Sequence, residues 1–276
     1  MLVCYQSTRT SRLFPSRDSP FLFDSGGLMS VLLITGASSG LGWALANIYA
    51  EPGVTLHLVA RRSDRLRSLA PLLVDRGARP VLHETDVRDQ TQMEELATGI
   101  LESSGIPSLI IANAGVRGEE EGNDSKTMKL VFETNVLGVL NTVLPFLPSM
   151  KTQGGGQIAV VGSLAGYRGL PKAGAYCASK AALAAWTDAL RYEAETSGVT
   201  VTLINPGFVV TEMTRKNPYP MPFLLTAPEA ARKIRAGLGK GRARIEFPLP
   251  LVLLVRILAL LPPRLGDRLL RLAQGR

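Results

Sequence analysis

Seven short, mostly apolar runs recur along the chain, and longer stretches of helical character separate them. The runs are residues 31–34, 55–60, 80–83, 108–112, 157–161, 199–204 and 244–247. Short apolar runs rich in Val, Ile and Leu and bounded by Gly, Asn and Pro read as buried strands. The intervening stretches predict helices at 43–51, 64–75, 90–103, 125–148 and from Tyr176 towards Ser197. Strict alternation of the two predicts an α/β fold, a single-domain doubly wound parallel sheet of about seven strands with helices on both faces. Binding sites in such sheets belong at the carboxyl ends of the strands. The organised part of the chain is expected to span 29–247.

Residues 35–42, TGASSGLG, follow the first run directly and lead into the first helix. A strand, a glycine loop and a helix in that order make a phosphate-binding turn, with the helix N-terminus facing the anion. Gly36 permits the tight turn, Gly40 lets a pyrophosphate approach the backbone, and Gly42 allows close helix packing. Ser38, Ser39 and Leu41 complete the loop. The spacing is Gly-x-x-x-Gly-x-Gly rather than the commoner Gly-x-Gly-x-x-Gly. The second strand ends in Ala60-Arg61-Arg62-Ser63, where an acidic residue would otherwise bind a ribose 2′-hydroxyl. Arg61 is placed to pair with a 2′-phosphate, which favours NADP; the alternative is that both arginines are solvated residues at a helix start. Asp86 and Val87 follow the third strand, at the sheet edge where an adenine would lie. Asn113, Ala114 and Gly115 end the fourth strand with small residues.

The fifth run delivers Ser163, and Tyr176 and Lys180 follow one helical turn apart, on the same face. A free phenol, with a pKa of about 10, is a poor acid or base at neutral pH. A neighbouring ammonium favours the phenolate and lowers that pKa. Tyr176 would then move a proton near pH 7, with Ser163 hydrogen-bonded to the same substrate oxygen. A Tyr and a Lys at this spacing also occur on ordinary helices. The weight comes from their company: loop 35–42, Asn113–Gly115, Ser163 and residues 206–211 all fall at strand carboxyl ends.

Composition removes other chemistries. Cys4 and Cys177 form no disulfide framework or metal set, and a reducing, cytoplasmic setting fits them. His57 and His83 lie in strand-like runs and read as sheet residues, so no metal is expected. The net charge of +8 is concentrated: residues 231–276 carry a net +9, which leaves the rest at −1. No nucleic-acid-binding motif accompanies the basic stretch, so nucleic acid is not an expected partner. Residues 1–28 have no periodicity and no apolar core of a secretory signal. They read as a disordered extension or as sequence preceding a true start at Met29.

Taken together, TGASSGLG, Asp86-Val87, Asn113–Gly115, Asn135, Ser163, YCASK at 176–180 and PGFVVT at 206–211 resemble the short-chain dehydrogenase/reductase family, the compact branch with a Tyr-x-x-x-Lys site. The resemblance covers roughly residues 30–211 and implies a Rossmann-like fold. It implies Tyr176 as general acid/base, Lys180 lowering its pKa and holding the nicotinamide ribose, and Ser163 polarising a substrate carbonyl. It implies that Asn135 holds a water linking Lys180 to a proton relay, and that Pro206, Gly207, Val209 and Thr211 line the cofactor. The implied activity is NADP-dependent interconversion of a carbonyl and an alcohol, in a homo-oligomer. The segment 212–226, with Met213, Tyr219, Met221, Phe223 and Leu224, is expected to form an apolar pocket for a lipophilic substrate.

The tail, 248–276, departs from that pattern. It is apolar and basic, and too short for a bilayer span of about 20 residues. Two readings stay open: an interfacial segment with arginines at anionic headgroups, or a lid or subunit contact. Burial against protein is preferred, since short apolar helices are common in cores. Two other functions compete with the enzyme: a cofactor-binding regulator with little turnover, and a protein that acts at a membrane surface.

Overall fold

The computed structural model describes residues 30–118, 124–215 and 220–273. The extension 1–28 and Tyr219 lie outside them. The strands are β1 (Ser30–Thr35), β2 (Val54–Ala60), β3 (Arg79–Glu84), β4 (Leu109–Ala112), β5 (Gln157–Val161), β6 (Thr200–Pro206) and β7 (Arg244–Phe247). All pair in parallel, in the order β3-β2-β1-β4-β5-β6-β7. The order reverses between β1 and β4, which opens a crevice above their carboxyl ends.

Residue alternation splits the core in two. Leu32 and Ile34 of β1 face one side, with α1 (Gly40–Ile48), α2 (Ser63–Val74) and α9 (Ala227–Leu238). Val31 and Leu33 face the other, with α3 (Gln90–Ser103) and α7 (Gly174–Ala194). That second face also carries α4 (Ser125–Phe132), α5 (Gly138–Val143) and α6 (Leu147–Gln153). A sheet covered on both faces needs strands apolar throughout, and β2 is buried at every position. His57 of β2 and His83 of β3 are sheet residues as expected: their rings stack 5.2 Å apart, and His57 Nδ1 lies 2.9 Å from His83 Nε2.

The single helix expected over 125–148 is broken. Glu133–Leu137 form a π turn between α4 and α5. A Cβ on Gly138 would come within 2.6 Å of Val87 Cγ2, so the helix rests directly on Val87, three residues past the end of β3. Pro145 and Pro148 have no N–H to continue the ladder, and α6 starts afresh. Ser125–Gln153 as a whole is long and apolar enough to cross a membrane. Its Val131, Val139, Val143, Phe146 and Met150 are spent on the core instead.

The short helix α8 (Glu212–Arg215) follows β6, and two helices close the described chain: α10 (Leu249–Leu260) and α11 (Pro263–Ala273). One side of α10 is buried through Leu251 and Val252 and the other is exposed, so the tail follows neither expected reading wholly.

Candidate active site

One cleft of about 950 Å³ runs along the carboxyl ends of the strands. Of the residues singled out in the sequence, Gly36, Ser38, Ser39, Gly40, Leu41, Arg61, Asp86, Val87, Asn113, Ala114, Gly115, Ser163, Tyr176, Lys180, Pro206, Gly207, Val209 and Thr211 line it. Gly42 and Asn135 stand just behind its wall. Met213 reaches the lining, while Met221, Phe223 and Leu224 do not.

The glycine loop is shaped by close approach. Gly36 and Gly40 have φ of +67° and +54°, a region side chains rarely adopt. A Cβ on Gly42 would lie 2.2 Å from the Gly36 carbonyl oxygen. Asn113 ties the loop to β4: its Nδ2 donates to Thr35 O at 2.9 Å, and its backbone N–H donates to Thr35 Oγ1 at 3.1 Å. The helix begins at Gly40, earlier than expected, so its first amides open towards the cleft. This cradle, too tight for any side chain, fits a dinucleotide pyrophosphate.

At the end of β2 the two arginines divide. Arg61, more than half exposed, leans to Asp86 at 3.6 Å. Arg62, which the sequence reading passed over, crosses the loop. Its guanidinium donates to Ser38 Oγ at 3.1 Å and Ser39 Oγ at 2.7 Å, and to Glu212 of α8 at 2.8 Å. Burial pushes the Asp86 carboxyl up, but hydrogen bonds from Arg88 outweigh this and hold it below the usual carboxylate range. The signal for Arg62 was present as an Arg-Arg pair opposite a Ser-Ser pair. Which arginine turns inward depends on the backbone at the start of α2, which spacing does not reveal.

At the other end of the cleft, β5 delivers Ser163 into a 3₁₀ turn, Leu164–Tyr167. A Cβ on Gly166 would come 3.0 Å from the carbonyl of Lys180, so this turn lies directly on the backbone of α7. That packing brings the Ser163 hydroxyl, which accepts from the Ala165 N–H at 3.1 Å, to the same part of the cleft as the Tyr176 phenol. Lys180 is 4 % exposed; its Nζ lies 5.7 Å from the Tyr176 ring centroid and donates to Val161 O at 2.8 Å. Burial brings the Lys180 ammonium down to about 8.

Burial also pushes the Tyr176 phenol up, and the Ser163 hydroxyl and the charge of Arg117 only partly oppose it. The net direction is the reverse of the lowering expected from Lys180, because burial of the phenol is the largest effect on it. Arg117, which also lines the cleft, was not singled out in the sequence.

Asn135 is fully buried, and its side chain is committed. Nδ2 donates to Val116 O at 2.8 Å and Ser179 Oγ at 3.0 Å, and Oδ1 accepts from the Val116 N–H at 2.7 Å. The amide therefore ties the Val116 segment to the π turn and to α7. Thr134 beside it keeps a buried hydroxyl without a partner, and it lines the cleft.

A doubly wound sheet with a glycine cradle at one end of its crevice and a Ser, Tyr and Lys at the other defines a dinucleotide-dependent oxidoreductase. The short-chain dehydrogenase family model matches residues 30–220. An uncharacterised oxidoreductase of Myxococcus xanthus is 37% identical over 238 residues, covering 85% of this chain and 94% of the relative. An alcohol dehydrogenase of the archaeon Thermococcus sibiricus, solved with 5-hydroxy-NADP, is 32% identical with a TM-score of 0.70. It covers 79% of this chain and 95% of its own. A short-chain dehydrogenase/reductase of Burkholderia phymatum, solved with NAD, is 28% identical with a TM-score of 0.76, over 83% of this chain and 92% of its own. The chain belongs to the short-chain dehydrogenase/reductase family, and a nicotinamide dinucleotide is its cofactor class.

Proposed function

We propose that the chain interconverts a carbonyl and an alcohol, with NADP as its preferred cofactor and Tyr176 as the acid–base group. The observation that carries the cofactor preference is Arg62 braced on Ser38 and Ser39, with Arg61 alongside. Two guanidinium groups and two hydroxyls suit a 2′-phosphate, and no carboxylate of β2 stands there to receive a 2′-hydroxyl. The two structural relatives differ on this point, one solved with an NADP analogue and the other with NAD.

When bound, the cofactor gives or takes a hydride. The residues of this chain manage the proton and the geometry. In reduction, Ser163 and Tyr176 hydrogen-bond the substrate oxygen, and Tyr176 gives up its phenolic proton as the alcohol forms. A phenol held high by burial keeps that proton at pH 7 until the oxygen needs it. Lys180, still largely charged at neutral pH, then stabilises the phenolate left behind. Pro206 and Gly207 close the floor of the cleft, and Met213 gives the substrate side an apolar contact, which supports a lipophilic substrate. Leu137 and Leu144, exposed on the outer side of the segment carrying the π turn, support a homo-oligomer.

The test is a panel of apolar aldehydes, ketones and alcohols assayed with each phosphorylated and non-phosphorylated cofactor. Carbonyl-dependent NADPH oxidation, with kcat/KM at least about tenfold above that with NADH, is expected; one 2′-phosphate contact of 1.4 kcal/mol suffices for that ratio. Preference for NADH overturns the cofactor assignment, and turnover that is indifferent to the carbonyl overturns the reaction.

A further inference from the structure

Large apolar side chains exposed among the described residues number seventeen, and seven of them sit on α10 and α11, so the apolar surface is concentrated at one end of the chain. Helix α10 docks by one side: Leu251 and Val252 are buried with Leu164, and Tyr167, Phe208 and Val255 pack around them. Leu249, Leu253, Ile257 and Leu260 fall in one stripe on the opposite side, with Leu254 at its edge. Leu249 is 66% and Leu260 85% exposed, so both ends of the stripe are bare. On α11, Leu265 and Leu269 stand one turn apart. Arg264, Arg268 and Arg271 occupy the adjoining edge, all exposed.

The junction of α10 and α11 is fixed rather than loose. Arg168 donates to Leu258 O at 2.9 Å, Leu261 O at 3.3 Å, Pro263 O at 3.2 Å and Asp267 Oδ1 at 3.0 Å. Arg256 pairs with Glu246, which also accepts from the Tyr167 hydroxyl at 2.5 Å. Glu246 and Asp267, the acids paired with Arg256 and Arg168, are thus engaged. Among the described residues Arg264, Arg268 and Arg271 make no ion pair, and the net surface charge beside the leucines is positive.

We propose that this pair of helices docks the protein on an anionic lipid bilayer. Leu249, Leu253, Ile257, Leu260, Leu265 and Leu269 enter the headgroup–acyl boundary, and Arg264, Arg268 and Arg271 meet lipid phosphates. The helix α10 lies in the interface and does not span it, since 12 residues fall short of the roughly 20 that a crossing requires. Charge decides between a bilayer and a second copy of the chain. An isologous contact sets the same patch against itself, which would gather six arginines without counter-charge, whereas an anionic surface neutralises each of them.

The test is sedimentation of the full chain with phosphatidylcholine vesicles, with and without phosphatidylglycerol. Wild type is expected to pellet with the phosphatidylglycerol vesicles and much less with phosphatidylcholine alone, and to be released by salt. Combined Arg264→Gln, Arg268→Gln and Arg271→Gln should weaken binding roughly a hundredfold, from about fivefold per arginine. Leu253→Glu with Ile257→Glu should abolish it. Both variants alter exposed positions, and their NADPH-dependent thermal shift shows that they are folded. Three outcomes overturn the proposal: wild type that stays in the supernatant, variants that bind as well as wild type, and sedimentation equilibrium showing a dimer that Leu253→Glu splits.

Discussion

Replacing Gly42 by alanine probes the cofactor cradle where its geometry is tightest. The added methyl would stand 2.2 Å from Gly36 O, 2.8 Å from Gly36 C and 2.7 Å from Asn113 Nδ2. Two of those neighbours are backbone atoms and cannot rotate aside, so α1 and the loop must separate. Overpacking of this kind costs roughly 1–3 kcal/mol. Separation also endangers the Asn113 hydrogen bond to Thr35 O, worth about 1 kcal/mol. A total of about 2–4 kcal/mol in a chain of this size lowers Tm by roughly 5–15 °C. Gly99→Ala is the control: nothing lies within 4 Å of its added methyl, and it sits exposed within α3. That change should raise stability slightly, by roughly 0.5–1 kcal/mol. Thermal unfolding of both variants, with and without NADPH, reads the effect. The Gly42 variant should lose Tm and most of its NADPH-dependent shift. A Gly42→Ala protein that melts and binds NADPH like wild type would refute the reasoning.

Arg62→Gln should raise KM for NADPH about tenfold or more and leave KM for NADH nearly unchanged, because a neutral amide cannot pair with a 2′-phosphate; steady-state kinetics with both cofactors checks this. His57 is buried and held down to about 4 by burial first and by His83 and Arg79 next. An unfolded histidine binds its proton near 6.5, so stability should fall as pH drops from about 6.5 towards 4, by roughly 3 kcal/mol in all, from about 1.4 kcal/mol per pH unit. Urea unfolding across that range measures it, and His57→Gln should flatten the curve. Asn135→Ala removes three hydrogen bonds that join the Val116 segment, the π turn and α7. It should lower Tm as well as kcat, whereas a purely catalytic role would spare Tm.

Much of the fold could be read from the chain because its signals are local. Helix α3 and strands β5 and β7 have the bounds that their apolar runs predict. The loop at 35–42, Ser163, Tyr176 and Lys180 could be read for the same reason, since each lies next to the strand or turn that positions it. What escaped depends on packing between distant segments. Arg61 and Arg62 are adjacent in sequence, and only the approach of Ser38, Ser39 and Glu212 shows that Arg62 is the one facing the loop. Spacing put Lys180 beside Tyr176 but not the burial that reverses the net effect on the phenol, nor the Val161 carbonyl that takes the ammonium. The π turn at Asn135 interrupts a stretch whose sequence reads as one continuous helix, and Gly138 just after it packs on Val87, a residue 51 positions earlier in the chain. The tail read as apolar and basic, but only the docking of Leu251 and Val252 separates its buried side from its bare one.

The most direct measurement of the proposed chemistry is turnover by Tyr176→Phe with NADPH and the best carbonyl substrate found in the panel. The change removes one hydroxyl and leaves the ring in place. The account predicts a fall in kcat of about 10²–10⁴-fold, with NADPH affinity and Tm close to wild type. A Tyr176→Phe enzyme that turns over at the wild-type rate would contradict it.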